Sequence, residues 1–449
     1  MNQSPNDRPW YSRIGPGLIT ACVVIGPGSI VTSSKIGANH GYSMLWIVVV
    51  SVAFMLVYMT MGAKLGAVAK DTPGNLIRAK AGRPLAMILG CSVFFISASF
   101  QSGNNIGVAA AFEAFIDSKF VVAALVVGFN AIALAFLFAF KNLYRVLERL
   151  MMGFVALMLV SFAINLITLR PNPGDMAEGF IPQLDNILDL DVLALIGTTF
   201  VIAAAFYQAY LVQQKGWNEG ELRSGIIDAR IGSIIMALIT VMLMSTAAAG
   251  LFTGQPVALS DPIAVADALE PTFGSRGRAI FCLGLFSAAY SSFLINSMIG
   301  GFVAADGFGL GCKPSDLAPR ILTAVALICG MGVALAAFLL GFDRSLSIIA
   351  AQAVTVVAAP MVAAILLWLT SRRDIMHSQV NSIAVKILAA FGLVLLLMIA
   401  GKTAFITLPN SIQNYRNKNQ PAEATPTTEN QTKISKVSVL SATFKTENL

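Results

Sequence analysis

The most informative feature of this sequence is how little charge it has. Only 12% of its 449 residues are Asp, Glu, Lys or Arg, while 56% are hydrophobic. A soluble globular domain has about 25% charged residues, so this chain has about half the charge needed to cover a surface in water. The apolar residues also fall into long runs. This composition excludes a soluble enzyme and, despite the net charge of +7, a nucleic-acid binder.

Several kinds of catalytic and binding site are also missing. The chain has two histidines, His40 and His377, and five cysteines without a CxxC pair, which excludes a disulfide scaffold and a thiolate metal site. No GxGxxG or GxxxxGK[ST] motif is present, so this chain alone does not drive transport with ATP. No nucleophile–base pair can be assembled in the apolar runs. We therefore expect no enzyme activity and no cofactor.

The apolar runs are long enough to be membrane spans. A helix needs roughly 20 apolar residues to cross the hydrocarbon core, and eleven runs qualify, which predicts an all-α polytopic membrane protein. We expect an N-terminal segment at 1–13, a transmembrane domain at 14–404 and a polar, disordered tail at 405–449. The runs are 14–34, 43–69, 85–115, 120–140, 146–168, 190–213, 225–252, 279–305, 320–341, 346–370 and 382–404.

The basic residues between the runs predict the orientation. Alternate connections, beginning with the N-terminus, contain 18 Lys and Arg residues, whereas the opposite connections contain 7. Because cytoplasmic loops are rich in Lys and Arg, we expect the N-terminus in the cytoplasm and, after eleven spans, the C-terminus outside. The predicted location is the inner membrane of a bacterial-type cell, with the lipid bilayer as a partner.

The first run is interrupted near its middle by Gly26-Pro27-Gly28. Proline inside a helix removes a backbone hydrogen bond and clashes with the preceding turn. A span interrupted by Gly and Pro is the best sequence indication of the substrate site of a secondary transporter. A simple proline kink is an equally good interpretation of this motif alone.

The sequence around this motif resembles a known family. "GPGLITACVVIGPGSIVTSSKIGANHGYSMLW" is similar to the opening of the NRAMP family of divalent-metal transporters, and "LIGTTF…AYLVQQ" resembles that family's sixth helix. "FGSRGRAIFCLGLFSAAYSS" and "LLWLTSRRDIM" resemble the approach to its eighth helix and the end of its tenth. The resemblance implies a leucine-transporter-type fold, in which helices 1–5 and 6–10 form inverted repeats and helices 1 and 6 are discontinuous. It also implies alternating access.

When the family's site positions are carried over to this sequence, the substrate site that they imply is atypical. The positions of the family's metal-binding Asp and Asn are Gly26 and Ser29, and the position of its Met is Val201. The carbonyl donor position falls at Thr198, and a Gln of helix 10 matches Gln352. Of these, Ser29, Thr198 and Gln352 are the possible metal ligands, through neutral dipoles only.

The family's proton route is neutralised as well. Its acidic positions on helix 3 are Gln101 and Asn104 here, and its two histidine positions are Ala203 and Gln208. Asp228 on helix 7 matches a family acid, and we expect it to be paired with Arg230 or Lys215.

Three further features have more than one interpretation. Ala203-Ala204-Ala205 favours continuous helix, so we expect the break of helix 6 to be shallow or absent. Lys35 either extends to the outer interface, which we favour, or compensates an anionic substrate. Ser291, Ser292 and Asn296 are expected to bond across helices more than to bind substrate.

The leading hypothesis is a carrier of a divalent cation, of the Mg²⁺ or Mn²⁺ type, that works by alternating access without the family's proton route. The alternatives are the same fold transporting a neutral or anionic small solute, and a sensor that does not transport. The coupling ion, the direction of flux and the oligomeric state stay open.

Overall fold

The structure is a computed structural model that describes residues 15–140, 143–183, 189–257, 259, 261–340, 358–410 and 412–413. Every regular element in these ranges is helical, which confirms the all-α prediction. The expected N-terminal segment 1–13 and most of the expected tail lie outside the described residues.

The helices follow the apolar runs of the sequence. In chain order they are α1 (Pro16–Val24), α2 (Pro27–His40), α3 (Leu45–Val68), α4 (Pro73–Ala81), α5 (Arg83–Glu113), α6 (Lys119–Ala139), α7 (Leu143–Leu169) and α8 (Pro173–Glu178). They continue with α9 (Leu190–Thr199), α10 (Ile202–Lys215), α11 (Leu222–Leu251), α12 (Pro262–Phe308), α13 (Leu317–Leu339), α14 (Ala358–Thr370), α15 (Arg373–Met376) and α16 (Ile383–Lys402).

Ten of the eleven expected spans are long enough to cross a membrane in the described part of the chain. Nine are helices that pass by length and hydropathy, and the tenth is the α1–α2 pair, which is bent by 61°. Of the remaining run, 346–370, the structure describes α14.

The two interrupted spans lie against each other at the centre of the molecule. α2 packs on α9, and α1 packs on α10. α11 and α12 both contact this central group, and α5 lies along α12. The first and sixth spans are therefore surrounded by other helices, where irregular backbone is tolerated at membrane depth.

α1 and α11 approach closely because each has a glycine at the contact. A Cβ atom added to Gly17 would clash with the backbone carbonyl of Asp228, and one added to Gly232 would clash with the carbonyl of Gly17. Small residues of this kind let membrane helices pack backbone against backbone. The contact fixes the position of α1 below the interrupted segment.

Candidate functional site

The first break lies between Val24 and Pro27. Ile25 and Gly26 are both non-helical, and Pro27 is the first residue of α2, where proline is compatible with helix geometry. The Ser29 hydroxyl accepts the Gly26 N–H at 3.0 Å and donates to the Gly26 carbonyl at 2.9 Å. Ser29, a predicted site residue, is thus at the break but has its hydroxyl engaged in capping α2.

Gly26 faces neutral side chains from two other helices. A Cβ atom there would lie 3.0 Å from Ser292 Oγ on α12 and 3.6 Å from Asn104 Oδ1 on α5. Ser292 also donates a hydrogen bond to the Val23 carbonyl, at 3.2 Å. The expected cross-helix bonding of Ser292 is confirmed, and the same residue lies directly beside the break, which the sequence did not indicate.

The second break lies at Phe200 and Val201, between α9 and α10. Their ψ angles of 68° and 86° are far from helical values. The two halves nevertheless run as one span over Asp191–Lys215, so the break exists and is shallow. We expected this break to be shallow or absent, and the prediction of an absent break is wrong. The alanine run begins after the break, so its helix propensity acts only on α10.

An open polar face connects the two breaks. Gly28 on α2 is exposed, and Thr198 and Val201 near the end of α9 are half-buried. The hydroxyls of Thr198 and Thr32 lie 3.0 Å apart and bridge α9 to α2. The structure therefore brings Thr198 and Val201 to the accessible side of the breaks, together with Thr32, which sequence reasoning missed. Gln352 lies outside the described residues.

Thr32 could have been found from the helix period. It lies four residues after Gly28, on the same face of α2 and one turn further along. Ser292 had no comparable signal, because its approach to Gly26 depends on the packing of α12 against α1.

The neutral positions of the expected proton route fall into two separate groups. On α5, the Asn104 amide donates to Gln101 Oε1 at 3.2 Å, and Asn105 donates to the Gln101 carbonyl at 2.8 Å. Asn130 of α6 continues this amide chain by donating to Asn105 Oδ1 at 2.7 Å. All four side chains are buried. This hydrogen-bonded chain of amides is polar but contains no group that titrates near neutral pH.

Gln208 and Ala203 do not join that amide chain through any bond among the described residues. Ala203 is buried in α10. The Gln208 amide lies against α1. In the amide orientation that satisfies both of its polar atoms, the nitrogen donates to the Pro16 carbonyl at 2.9 Å and the oxygen accepts the Gly17 N–H at 3.2 Å. Gln208 therefore connects α10 to the start of α1.

Asp228 also binds the start of α1, which corrects the expected pairing. Its two carboxylate oxygens accept the backbone N–H groups of Gly15, at 2.7 Å, and Gly17, at 2.5 Å. Lys215 instead forms an ion pair with Glu148, at 2.6 Å. The N-terminus of a helix carries partial positive charge and unpaired N–H groups, and these compensate the buried carboxylate directly, while Lys215 adds an electrostatic attraction without a direct ion pair.

Lys35 is paired as well. Its Nζ lies 2.7 Å from Asp191 Oδ1 in the first turn of α9. Both side chains are about one-third exposed. Lys35 therefore does not reach the interface as an unpaired cation, and its charge is already balanced by a carboxylate.

The centre of the site contains no fixed charge among the described residues. No group of three or more His, Cys, Asp and Glu side chains that could hold a metal occurs there. The buried carboxylates of the described chain are Asp228 and Asp306, and both accept backbone N–H groups at the starts of other helices. A ligand at the breaks meets hydroxyls, amides and backbone dipoles.

Comparison with known proteins agrees with this architecture. The family model described as Natural resistance-associated macrophage protein-like matches residues 17–405. The chain is 25% identical over 394 residues to a divalent metal cation transporter MntH of Chromohalobacter salexigens, covering 85% of this chain and 88% of that protein. It is 25% identical over 376 residues to MntH of Deinococcus radiodurans, covering 82% and 84%.

Solved structures show the same fold. A manganese transporter of Eremococcus coleocola, crystallised with an aromatic bis-isothiourea compound, superposes with a TM-score of 0.75 at 19% identity, covering 98% of this chain and 93% of that one. MhsT in complex with L-phenylalanine gives a TM-score of 0.57 at 14% identity, covering 87% and 98%. These likenesses confirm the leucine-transporter-type fold. Because the family model covers most of the sequence, this chain belongs to the natural resistance-associated macrophage protein-like (NRAMP) family of multi-pass membrane transporters.

Proposed function

We propose that this protein is a secondary transporter that moves a divalent cation by alternating access through an uncharged site. The observation that carries the proposal is the pair of facing helix breaks, at Gly26 and at Val201, joined by an accessible polar face. The relatives named divalent metal cation transporters support a cation as substrate. Their bacterial origin and the distribution of basic residues support an inner-membrane location with a cytoplasmic N-terminus.

The chemistry of the site favours an ion that keeps part of its water. A divalent cation stripped of its hydration shell needs carboxylate or other strong oxygen ligands, and Gly26 provides none. Thr198, Thr32 and backbone carbonyls supply neutral dipoles, which suit contact through retained water. Val201 offers no thioether, the group that favours softer transition metals over Mg²⁺. We therefore expect Mg²⁺ and Mn²⁺ to be accepted with similar affinity.

The amide chain on α5 and α6 supports transport without proton movement through the family's route. Gln101, Asn104, Asn105 and Asn130 bond to one another, and their amides neither gain nor lose a proton near neutral pH. Ala203 and Gln208 likewise carry no titratable group. A proton entering at this level would meet no titratable side chain among these six residues.

The test is transport into liposomes that contain the purified protein. Entry of Mg²⁺ and Mn²⁺ is followed with indicator dyes, and a pH reporter inside the liposomes records proton entry. We expect uptake of both ions without acidification. Acidification that follows metal uptake would contradict the uncoupled mechanism, and silence for both ions from folded, monodisperse protein would contradict cation transport.

A neutral solute is the second candidate, and the uncharged surroundings of Gly26 favour it. The Lys35–Asp191 ion pair removes the reason to expect an anionic substrate, because the charge of Lys35 is already balanced by Asp191. A neutral solute predicts that Mg²⁺ and Mn²⁺ neither bind the purified protein nor compete with uptake.

A further inference from the structure

A groove on the lipid-facing side of the molecule is formed by residues other than those at the helix breaks. It has a volume of about 430 Å³ and is formed by α6, α7 and α12. Its lining is apolar except for the guanidinium of one arginine and the hydroxyl of one tyrosine. The lining residues are Ile132, Phe136, Val146, Arg149, Leu150, Tyr290 and Leu294.

The groove opens towards the bilayer. Ile132, at its edge, has 57% of its surface exposed. The outward faces of α6 and α7 carry further exposed large apolar side chains, namely Phe120, Val127, Phe138, Met152, Val160, Ile164 and Ile167. In a membrane this surface is covered by acyl chains, so an apolar groove within it is filled by lipid unless another protein covers it.

Arg149 places a positive charge at the rim of this apolar groove. It lies six residues after the start of α7, about 9 Å along the helix axis, a depth from which a long side chain reaches the headgroups. Arg149 is exposed and has no hydrogen bond or ion pair with any described residue. Arg145, one turn earlier, is also exposed and has no such partner. Two unpaired guanidinium groups on one helix face match a phosphate, which arginine binds with two parallel hydrogen bonds.

We propose that this groove binds a phospholipid with an anionic headgroup. The acyl chain lies against Ile132, Phe136 and Leu294, and the headgroup phosphate contacts Arg149. Basic pockets between membrane helices are typical sites for anionic lipid headgroups. The site belongs to the leaflet on the side of the α6–α7 connection, which is the cytoplasmic leaflet in the orientation proposed above.

The floor of the groove is the reverse side of the helix that lines the substrate site. Tyr290 and Leu294 flank Ser292 along α12 and lie on the opposite face of that helix. Tyr290 is held in place by a hydrogen bond from its hydroxyl to the Phe129 carbonyl, at 3.1 Å, and by stacking with Phe293. A lipid in the groove therefore supports the part of α12 that carries Ser292 beside Gly26. The inference concerns lipid binding and does not depend on which solute is transported.

Native mass spectrometry of the purified protein tests the proposal. Phosphatidylglycerol and phosphatidylcholine are titrated separately into the wild type, Arg149→Gln, Arg83→Gln and Ile132→Trp. The wild type should bind phosphatidylglycerol more tightly than phosphatidylcholine. Arg149→Gln should weaken phosphatidylglycerol binding about fivefold, the contribution of one arginine near an anionic surface. Arg83→Gln removes an exposed charge on the same side of the membrane and away from the groove, so it should bind as the wild type does.

Ile132→Trp fills the groove from an exposed position, where a larger side chain is compatible with folding. It should therefore remove the tight phosphatidylglycerol site. This variant tests the proposal even if Arg149→Gln cannot be purified. Equal binding of the two lipids by the wild type would contradict the proposed preference for an anionic headgroup. Full lipid preference in Arg149→Gln, or in Ile132→Trp, would overturn the site. A lipid-independent dimer that Ile132→Trp dissociates would identify a second copy of the chain as the occupant and would also overturn it.

Discussion

The Asp228 carboxylate of α11 accepts the backbone N–H of Gly15 at 2.7 Å and thereby holds the start of α1. Its second oxygen accepts the N–H of Gly17, and the Gln208 amide bonds to the same turn. α1 is the half-span below the first break, so it must move if the site is to open on that side. Asp228 is therefore placed to stabilise the state in which that side is closed.

Asp228→Asn should make the site open more often on the side where α1 lies. The substitution leaves a single neutral acceptor oxygen and turns the other oxygen into an NH2 group, which cannot accept the second backbone N–H. A hydrogen bond to a charged group contributes about 1.5–3 kcal/mol. We expect the native Cys22 on α1, which is fully buried, to react with a membrane-impermeant maleimide about tenfold faster or more. The other four cysteines are replaced beforehand, and reagent is applied from each side of the membrane in turn.

Asp306→Asn is the matched control for this labelling experiment. Asp306 is also buried and accepts a backbone N–H, from Gly74 at 2.7 Å, but it holds α4 and not α1. Its replacement should lower thermal stability without exposing Cys22. Equal labelling of Cys22 in both variants would mean that general loosening, and not release of α1, accounts for the reactivity.

Gly26→Asp should restore tight metal binding. The new carboxylate would sit beside the break and supply the charge that compensates a divalent cation. Its Cβ would lie 3.0 Å from Ser292 Oγ, so the serine hydroxyl must shift slightly, which a small side chain permits. We expect Mn²⁺ to bind at least about tenfold more tightly, measured by calorimetry, since one pairing of opposite charges at low effective dielectric exceeds the 1.4 kcal/mol that this factor requires.

Gly26→Asn separates charge from shape in that experiment. It has nearly the same size as Asp and the same contact with Ser292, but it carries no charge. It should bind Mn²⁺ about as weakly as the wild type. If Asn and Asp raise the affinity equally, an added oxygen ligand and not the negative charge is what the natural site lacks.

Much of this architecture could be predicted from the sequence. Hydropathy gives the spans because a bilayer demands about 20 apolar residues for each helix, and Gly26-Pro27-Gly28 marks the first break because its residues disfavour helix locally. The second break has no such local signal: Val201 and Ile202 are compatible with continuous helix, and tertiary packing overrides their propensity. The partners of Asp228 and Lys35 were also beyond reach, since both are contacts between helices that are distant in the sequence.

The Lys35–Asp191 ion pair predicts a distinctive pattern of mutant effects. If the lysine only balances Asp191, then Lys35→Ala and Asp191→Ala should lower uptake to a similar, small extent, and the double variant should add little. Solvent-accessible ion pairs contribute about 0.2–1 kcal/mol, and this pair is about one-third exposed, so a change of less than about fivefold is expected in liposome uptake. A severe loss in Lys35→Ala alone, with Asp191→Ala active, would instead mean that the lysine binds an anionic substrate.

Thr198 and Thr199 are adjacent in the sequence and provide the sharpest test of the site. Thr198 is half-buried, lies on the accessible face and contacts Thr32 across the gap between α9 and α2, whereas Thr199 is fully buried and its hydroxyl has no partner in the described part of the chain. Thr198→Val keeps the shape and removes the hydroxyl, so we expect uptake to fall about two- to tenfold, the equivalent of one hydrogen bond. Thr199→Val should leave uptake unchanged and raise thermal stability slightly, because it removes an unsatisfied buried polar atom.

The initial rate of Mg²⁺ and Mn²⁺ entry, normalised to the amount of reconstituted protein, distinguishes the effects of Thr198→Val and Thr199→Val. If Thr199→Val impairs uptake as much as Thr198→Val does, the substrate does not pass along the face that joins the two breaks.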